Sequence, residues 1–114
     1  MIFQESQPIY IQLLEMINNS IISGDWEINC LIPSVRELAA QYEVNPKTVS
    51  RVYDILQNNG VIIKQRGMGF LLSPDAKEKT LALVKEEFIK NDVPRFLNKL
   101  KQLGMNLDDI SDNL

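Results

Sequence analysis

The run Asn45-Pro46-Lys47-Thr48-Val49-Ser50-Arg51 gathers an amide, two cations and two hydroxyls within seven residues. Groups of this kind donate and accept hydrogen bonds; they suit base edges and phosphate oxygens. Their spacing predicts a helix. Asn45 can cap the first free N–H groups, and Pro46 at the first helical position loses no bond because its missing N–H would be unpaired there anyway. Val49, Val52, Tyr53 and Leu56 follow at helical spacing and make one apolar stripe, while Lys47, Ser50, Arg51 and Asp54 fall on the other face. A short polar and cationic face at the start of a helix suits entry into a DNA major groove.

Two other places carry matching chemistry. Arg36 points away from Leu38 and Ala39 and could reach a phosphate or a guanine. The stretch Lys64-Gln65-Arg66-Gly67-Met68-Gly69 is a polar, glycine-rich tip between β-branched Val61-Ile62-Ile63 and the return run Phe70-Leu71-Leu72. It reads as a hairpin whose glycines let the backbone lie close to a sugar–phosphate surface while Arg66 supplies charge. A nucleotide-binding loop is excluded, because this GxG lies between strands and lacks a following helix and a Gly-Lys-Ser/Thr element. Catalytic chemistry has little to work with. The chain has no His and one Cys, which removes the usual zinc sets and the usual acid–base and nucleophilic machinery. No catalytic residue, metal or cofactor is expected. Asp108, Asp109 and Asp112 read as residues capping and solubilising a terminal turn. Cys30 reads as a bystander thiol, since no neighbour in sequence would activate it.

The elements that must position these groups can be traced in order. After a polar lead-in that contains Ile2 and Phe3, a helix with Pro8 in its first turn carries Ile9, Leu13, Ile17 and Ile21, widened by Tyr10, Leu14 and Ile22. Gly24 ends it. Trp26 reads as a core plug beside this helix, and Leu31-Ile32 as a minimal strand. Ser34-Val35-Arg36-Glu37 is a capping box opening a short helix, closed by Tyr42 and a Glu43-Val44 turn. The Asn45 helix runs to Asn58-Asn59-Gly60, and the hairpin follows. A short helix, a tight turn, a polar helix and a ribbon together make a winged helix-turn-helix.

Beyond Ser73-Pro74, Leu81, Val84 and Phe88 line one helix with Leu83 and Ile89 beside them. Asn91-Asp92 interrupts, and Val93, Phe96, Leu97, Leu100 and Leu103 line a second helix ending at Gly104. A last short turn capped by Asn106 holds Leu107, Ile110 and Leu114. Two short amphipathic helices cannot bury both stripes on each other, so they either fold back on the first domain or pair with the same helices of a second copy. The second is expected, since operators are commonly read by two-fold dimers, through Leu81, Val84, Phe88, Phe96, Leu97, Leu100 and Leu103. The fold class is therefore mainly α with a small β wing: residues 1–73 a winged helix-turn-helix DNA-binding domain, and residues 74–114 a helical dimerisation tail.

At 114 residues and 45% apolar content the chain can bury one modest core. No apolar run has the length of a membrane span and no signal-peptide pattern opens it, which together with the single Cys points to the cytoplasm. Net charge is −3, but it is unevenly spread. Residues 1–33 have four acids and no Lys or Arg, whereas residues 34–73 have five bases against three acids. The net-positive third is the one that holds the polar helix and the wing. The expected partners are double-stranded DNA and a second copy of the chain. A small-molecule effector stays open, with no residue that identifies one. The competing reading is a winged helix that docks proteins without specific DNA binding, suggested by the acidic total and the apolar tail.

Five segments between Pro8 and Gly69 resemble, in order, the GntR family of bacterial transcription regulators. They are Pro8-Ile9-Tyr10-x-Gln12-Leu13, Ile21-Ile22-Ser23-Gly24-Asp25-Trp26, Pro33-Ser34-Val35-Arg36-Glu37-Leu38-Ala39, Val44-Asn45-Pro46-Lys47-Thr48-Val49, and Gly60-Val61-Ile62 with Arg66-Gly67-x-Gly69. The short helical tail is similar to that of the YtrA-like subfamily. The resemblance implies a dimeric winged-helix repressor on an inverted-repeat operator, often of transporter genes. It also implies DNA contacts at Ser34 and Arg36, at Asn45, Pro46, Lys47 and Thr48, one turn on at Ser50 and Arg51, and at the wing tip with Gly67 and Gly69. The chain departs from the family pattern at Asn29, where a Gly is usual and positive φ would accommodate the exchange. Met68 and Phe70 stand where polar and small residues are common.

Overall fold

The computed structural model describes residues 7–112. The lead-in Ile2 and Phe3, and Leu114 at the other end, lie outside the described residues. The chain divides into two compact units between Leu81 and Ala82.

In the first unit, α1 (Ile9–Ser23) buries Leu13, Ile17 and Ile21, spaced so that one stripe faces the core. Pro8 is its N-cap rather than part of its first turn, and the Pro8 carbonyl accepts from the N–H groups of Ile11 and Gln12. Gly24, at φ 89°, closes it with an N–H bond to the Ile21 carbonyl. Helix α2 (Val35–Tyr42) opens on the expected capping box: Ser34 Oγ accepts from the Glu37 N–H at 3.1 Å and Glu37 Oε1 accepts from the Ser34 N–H at 3.2 Å. Helix α3 (Pro46–Asn58) buries Val49, Val52, Tyr53 and Leu56, the predicted stripe. The strands β1 (Ile62–Gln65) and β2 (Gly69–Leu72) pair antiparallel with Ile62 opposite Leu72 and Gln65 opposite Gly69.

The hairpin differs from its sequence reading in extent. Lys64, Gln65 and Gly69 belong to the strands, so the turn is Arg66-Gly67-Met68, closed by the Met68 N–H on the Gln65 carbonyl at 3.0 Å. Ladder pairing satisfies more backbone groups than an open loop would. The Leu31-Ile32 strand reduces to a single bridge, Leu31 to Leu71. Asn29, Cys30 and Ile32 nevertheless bond β2 through their backbones at 2.8–3.0 Å. Asn29 takes φ 62°, the left-handed conformation that its place demanded. These elements enclose one core to which α1, α2, α3 and the hairpin all contribute, with Trp26 half-buried against it.

Helix α4 (Ala76–Glu87) spans the division between the units, and Ala76 and Thr80 are buried. The interruption expected at Asn91-Asp92 is not a break. A π-helical turn, Phe88–Asp92, leads directly into α5 (Val93–Gln102), with the Val93 N–H on the Phe88 carbonyl. Pro94 supplies the reason: it has no N–H for an i−4 bond, and a widened turn absorbs the lost donor where a regular one would be left short. Gly104 takes φ 66°, and α6 (Leu107–Ser111) opens on a capping box in which Asn106 and Asp109 exchange backbone and side-chain bonds at 2.8 and 3.1 Å. Asp109 thus serves the helix end, as its sequence suggested. No helix of the described residues is long and apolar enough to cross a membrane.

Candidate nucleic-acid interface

The polar face of α3 rests on a backbone that its own N-terminus organises. Asn45 Oδ1 accepts from the Lys47 N–H at 2.9 Å, and Pro46 occupies the first helical position. With that turn fixed and Val49 and Val52 fully buried, Lys47, Ser50 and Arg51 are held on the exposed side. Thr48 is half-buried at the edge of the stripe. The turn before α3 is tight because Glu43 adopts φ 54° and donates its N–H to the Ala39 and Ala40 carbonyls. This geometry lets two helices separated by only a few residues cross instead of running on.

Tyr53 ties α3 to its supports. Its hydroxyl donates to the Pro33 carbonyl at 2.6 Å, just before α2, and its ring meets Phe70 of β2 edge-on at 5.3 Å between centroids. Burial pushes the phenol well above its ordinary value, and the Glu37 carboxylate and Tyr42 add to the shift. The group therefore remains a neutral donor. Phe70 serves as the hairpin's anchor on α3.

Cations of this region are unspent. Among the described residues, Arg36, Lys47, Lys64 and Arg66 are exposed and form no ion pair; the pairs present join Lys79 to Asp75 and Arg95 to Asp92. Arg36 is thus not neutralised by a neighbouring acid. Ser34 is half-buried and occupied as a cap, which leaves only its hydroxyl proton for an outside acceptor. At the wing, Gly67 and Gly69 take φ 77° and 106°, and a Cβ at either would meet nothing within 4 Å. Conformation, not crowding, calls for glycine there. Met68 is exposed at the tip.

Arg51 differs from the other cations. Its guanidinium carbon lies 3.6 Å from the centroid of the Tyr10 ring on α1. Lys47, Thr48 and Arg51 are brought together with Ile9 and Tyr10 around one open concavity of about 350 Å³. Arg36, Ser50 and the wing tip are not part of its lining. Sequence reasoning placed Tyr10 in the core stripe only; its one signal was being the sole aromatic of the first helix. Cys30 is exposed, with its thiol 3.7 Å from Glu27 Oε2.

Known proteins share both the pattern and the architecture. The sequence profile of the bacterial regulatory proteins of the gntR family matches residues 9–72. The HTH-type transcriptional repressor YtrA of Bacillus subtilis is 33% identical over 94% of this chain and 82% of its own length, so the similarity continues through the C-terminal helices. A GntR family transcriptional regulator from Listeria monocytogenes superposes with a TM-score of 0.78, at 32% identity, over 96% of this chain and 95% of that one. The structure of AraR(DBD) in complex with operator ORR3 matches 64% of this chain and 88% of its own with a TM-score of 0.56 and 25% identity. Sequence and fold thus both match transcriptional regulators rather than enzymes, and the chain belongs to the gntR family of bacterial regulatory proteins.

Proposed function

We propose that this regulator is a cytoplasmic repressor that binds an inverted-repeat operator as a homodimer, with residues 1–73 reading DNA and residues 74–114 pairing two copies. The observation that carries the DNA half is the unpaired cationic surface of Arg36, Lys47 and Arg66, free to meet phosphates and guanine edges. Asn45, Pro46, Thr48 and Ser50 complete the reading surface beside Lys47 and Arg51. Ser34, Gly67 and Gly69 bring backbone and hydroxyl groups to the sugar–phosphate chain.

The dimer half is supported by apolar surface left open in the second unit. Phe88, Ile89, Phe96, Leu97 and Leu103 are all about half exposed or more. Leu100, expected on the same face, is already buried in the single chain. Side chains of this size in such number suit a two-fold partner, and two-fold symmetry matches a palindromic operator. The repressor role is supported by the likeness to YtrA, itself named a transcriptional repressor; transporter genes as targets are what the family resemblance implies.

The test is selection of a random duplex library on the purified protein at near-physiological salt, followed by sequencing. An inverted repeat with half-sites about one helical turn or a multiple apart is expected. A single half-site would remove the dimer, and retention that vanishes without sequence preference as salt rises would remove specific reading.

A further inference from the structure

We propose that Tyr10 of α1 is a positioning residue for DNA backbone contact: its ring holds the Arg51 guanidinium beside Lys47, and the concavity between them seats one phosphate group of the duplex. The inference rests on the DNA reading above and assigns to it a residue outside the helix-turn-helix.

The geometry supplies the reason. At 3.6 Å the guanidinium lies against the ring at stacking distance. Stacking uses the face of the guanidinium, whereas its N–H donors lie in its plane and point outward. Arg51 is therefore held in place without spending the bonds that recognise an oxyanion. A free arginine on a helix surface would give up much of its rotamer freedom on meeting a phosphate; the ring removes part of that cost beforehand. No acid is paired with Arg51 or Lys47 among the described residues, and no acid lines the concavity, whose other walls are Ile9 and the partly buried Thr48. Two cations facing one open depression, with no internal counter-charge, suit a group of compact negative charge. Thr48 adds a hydroxyl that can donate to it. The ring is anchored from behind, since Tyr10 packs against the core that α1 and α3 share. A phosphodiester is the occupant that fits, because the concavity is lined from the first turns of α3, the helix proposed to meet DNA, where Ser50 is exposed as well.

The experiment measures binding of a fluorescein-labelled duplex across a salt series by fluorescence anisotropy. The duplex is the one that the selection recovers, or a mixed-sequence duplex should the selection return none. The variants are Tyr10→Phe, Tyr10→Leu, Arg51→Ala, and Tyr10→Leu combined with Arg51→Ala, each checked for an unchanged melting temperature. Tyr10→Phe keeps the ring and is expected to bind within about twofold of wild type, while Tyr10→Leu is expected to lose roughly three- to tenfold. Arg51→Ala is expected to lower the slope of log K against log salt by about one unit. In the Arg51→Ala background, Tyr10→Leu is expected to cost nothing more, because Tyr10 acts through Arg51. An equal loss from Tyr10→Leu with and without Arg51 would overturn the positioning role, as would a loss in Tyr10→Phe that matches Tyr10→Leu. Wild-type affinity and salt slope in Tyr10→Leu would overturn it while leaving DNA reading intact. Failure of the wild type to bind any duplex would remove the DNA reading itself.

Discussion

The Tyr53 hydroxyl lies 2.6 Å from the Pro33 carbonyl, a bond that joins the middle of α3 to the residue before the α2 cap. The two positions are twenty residues apart, and between them stand all of α2, the turn and the first half of α3. With the Tyr53 ring also against Phe70, one side chain sets the angle of α3 to both α2 and the wing.

Tyr53→Phe keeps the ring contact and removes the bond, leaving the Pro33 carbonyl short of a partner. Chemical unfolding is expected to show a loss of about 1–2 kcal/mol at neutral pH. The phenol is harder to ionise in the folded chain than in the unfolded one, so its contribution is complete below the ordinary value of 10.0 and declines as pH rises above it. The difference between wild type and Tyr53→Phe should narrow on that alkaline side. A constant difference through that range would show that the phenol is not buried as described.

Ser34 combines a cap with a proposed DNA contact, and two substitutions separate these. Ser34→Ala is expected to lower stability by about 1 kcal/mol through loss of the bond from the Glu37 N–H. Ser34→Asp keeps a capping oxygen and is expected to keep stability while weakening DNA binding, since it sets a negative charge against the duplex. Wild-type DNA affinity in the Asp variant would take Ser34 out of the interface.

Arg36 and Lys47 are expected to fail differently. Arg36→Ala should weaken binding to the selected duplex by about 1–3 kcal/mol and relax preference at one base position, as loss of a bidentate guanine contact does. Lys47→Ala should weaken all duplexes alike and lower the salt slope by about one unit. Competition assays against single-base operator variants decide between the two patterns.

Gly60 takes φ 73° after α3, and a Cβ there would lie 2.8 Å from Lys79 Nζ. Lys79 Nζ bonds the Gly60 carbonyl at 3.3 Å and pairs with Asp75 at 3.2 Å. The Ser73 hydroxyl, first, and Lys79 lower the Asp75 carboxyl below its ordinary value, so the Asp75 contribution is present above 3.8 and is lost as pH falls below it. Gly60→Ala is expected to cost about 1 kcal/mol, chiefly from the left-handed backbone, because the lysine end can move aside. Thermal melts of the variant check the size.

Phe96→Glu places a charge on the open apolar face of α5. Sedimentation is expected to show a dimer for wild type and a monomer for the variant, with the helical circular dichroism retained. Operator affinity should then fall by roughly a hundredfold, because the two half-sites no longer share one binding event. A variant that remains dimeric would move the interface elsewhere.

Local signals were strong enough in the sequence to place most elements without the fold. Ser34 with Glu37, Asn45 with Pro46, and Asn106 before α6 are self-contained caps, because each is satisfied by backbone groups within three residues. The apolar spacing in α1 and α3 likewise marked Leu13, Ile17, Ile21, Val49, Val52, Tyr53 and Leu56 as core. Tertiary structure decided what depends on residues distant in the chain. The wing strands ran further than their β-branched runs, since Lys64 and Gln65 gain ladder partners only once Phe70 and Gly69 lie opposite. The π turn before Pro94 replaced a break because the helix could widen around one missing donor. Tyr10 read as core by period, yet its ring came to lie under Arg51, forty-one positions away, because α1 and α3 pack side by side in one core. Caps and stripes are set by neighbours along the chain; ladder extent and ring–cation pairing are set by neighbours across it, and only the closed core brings those together.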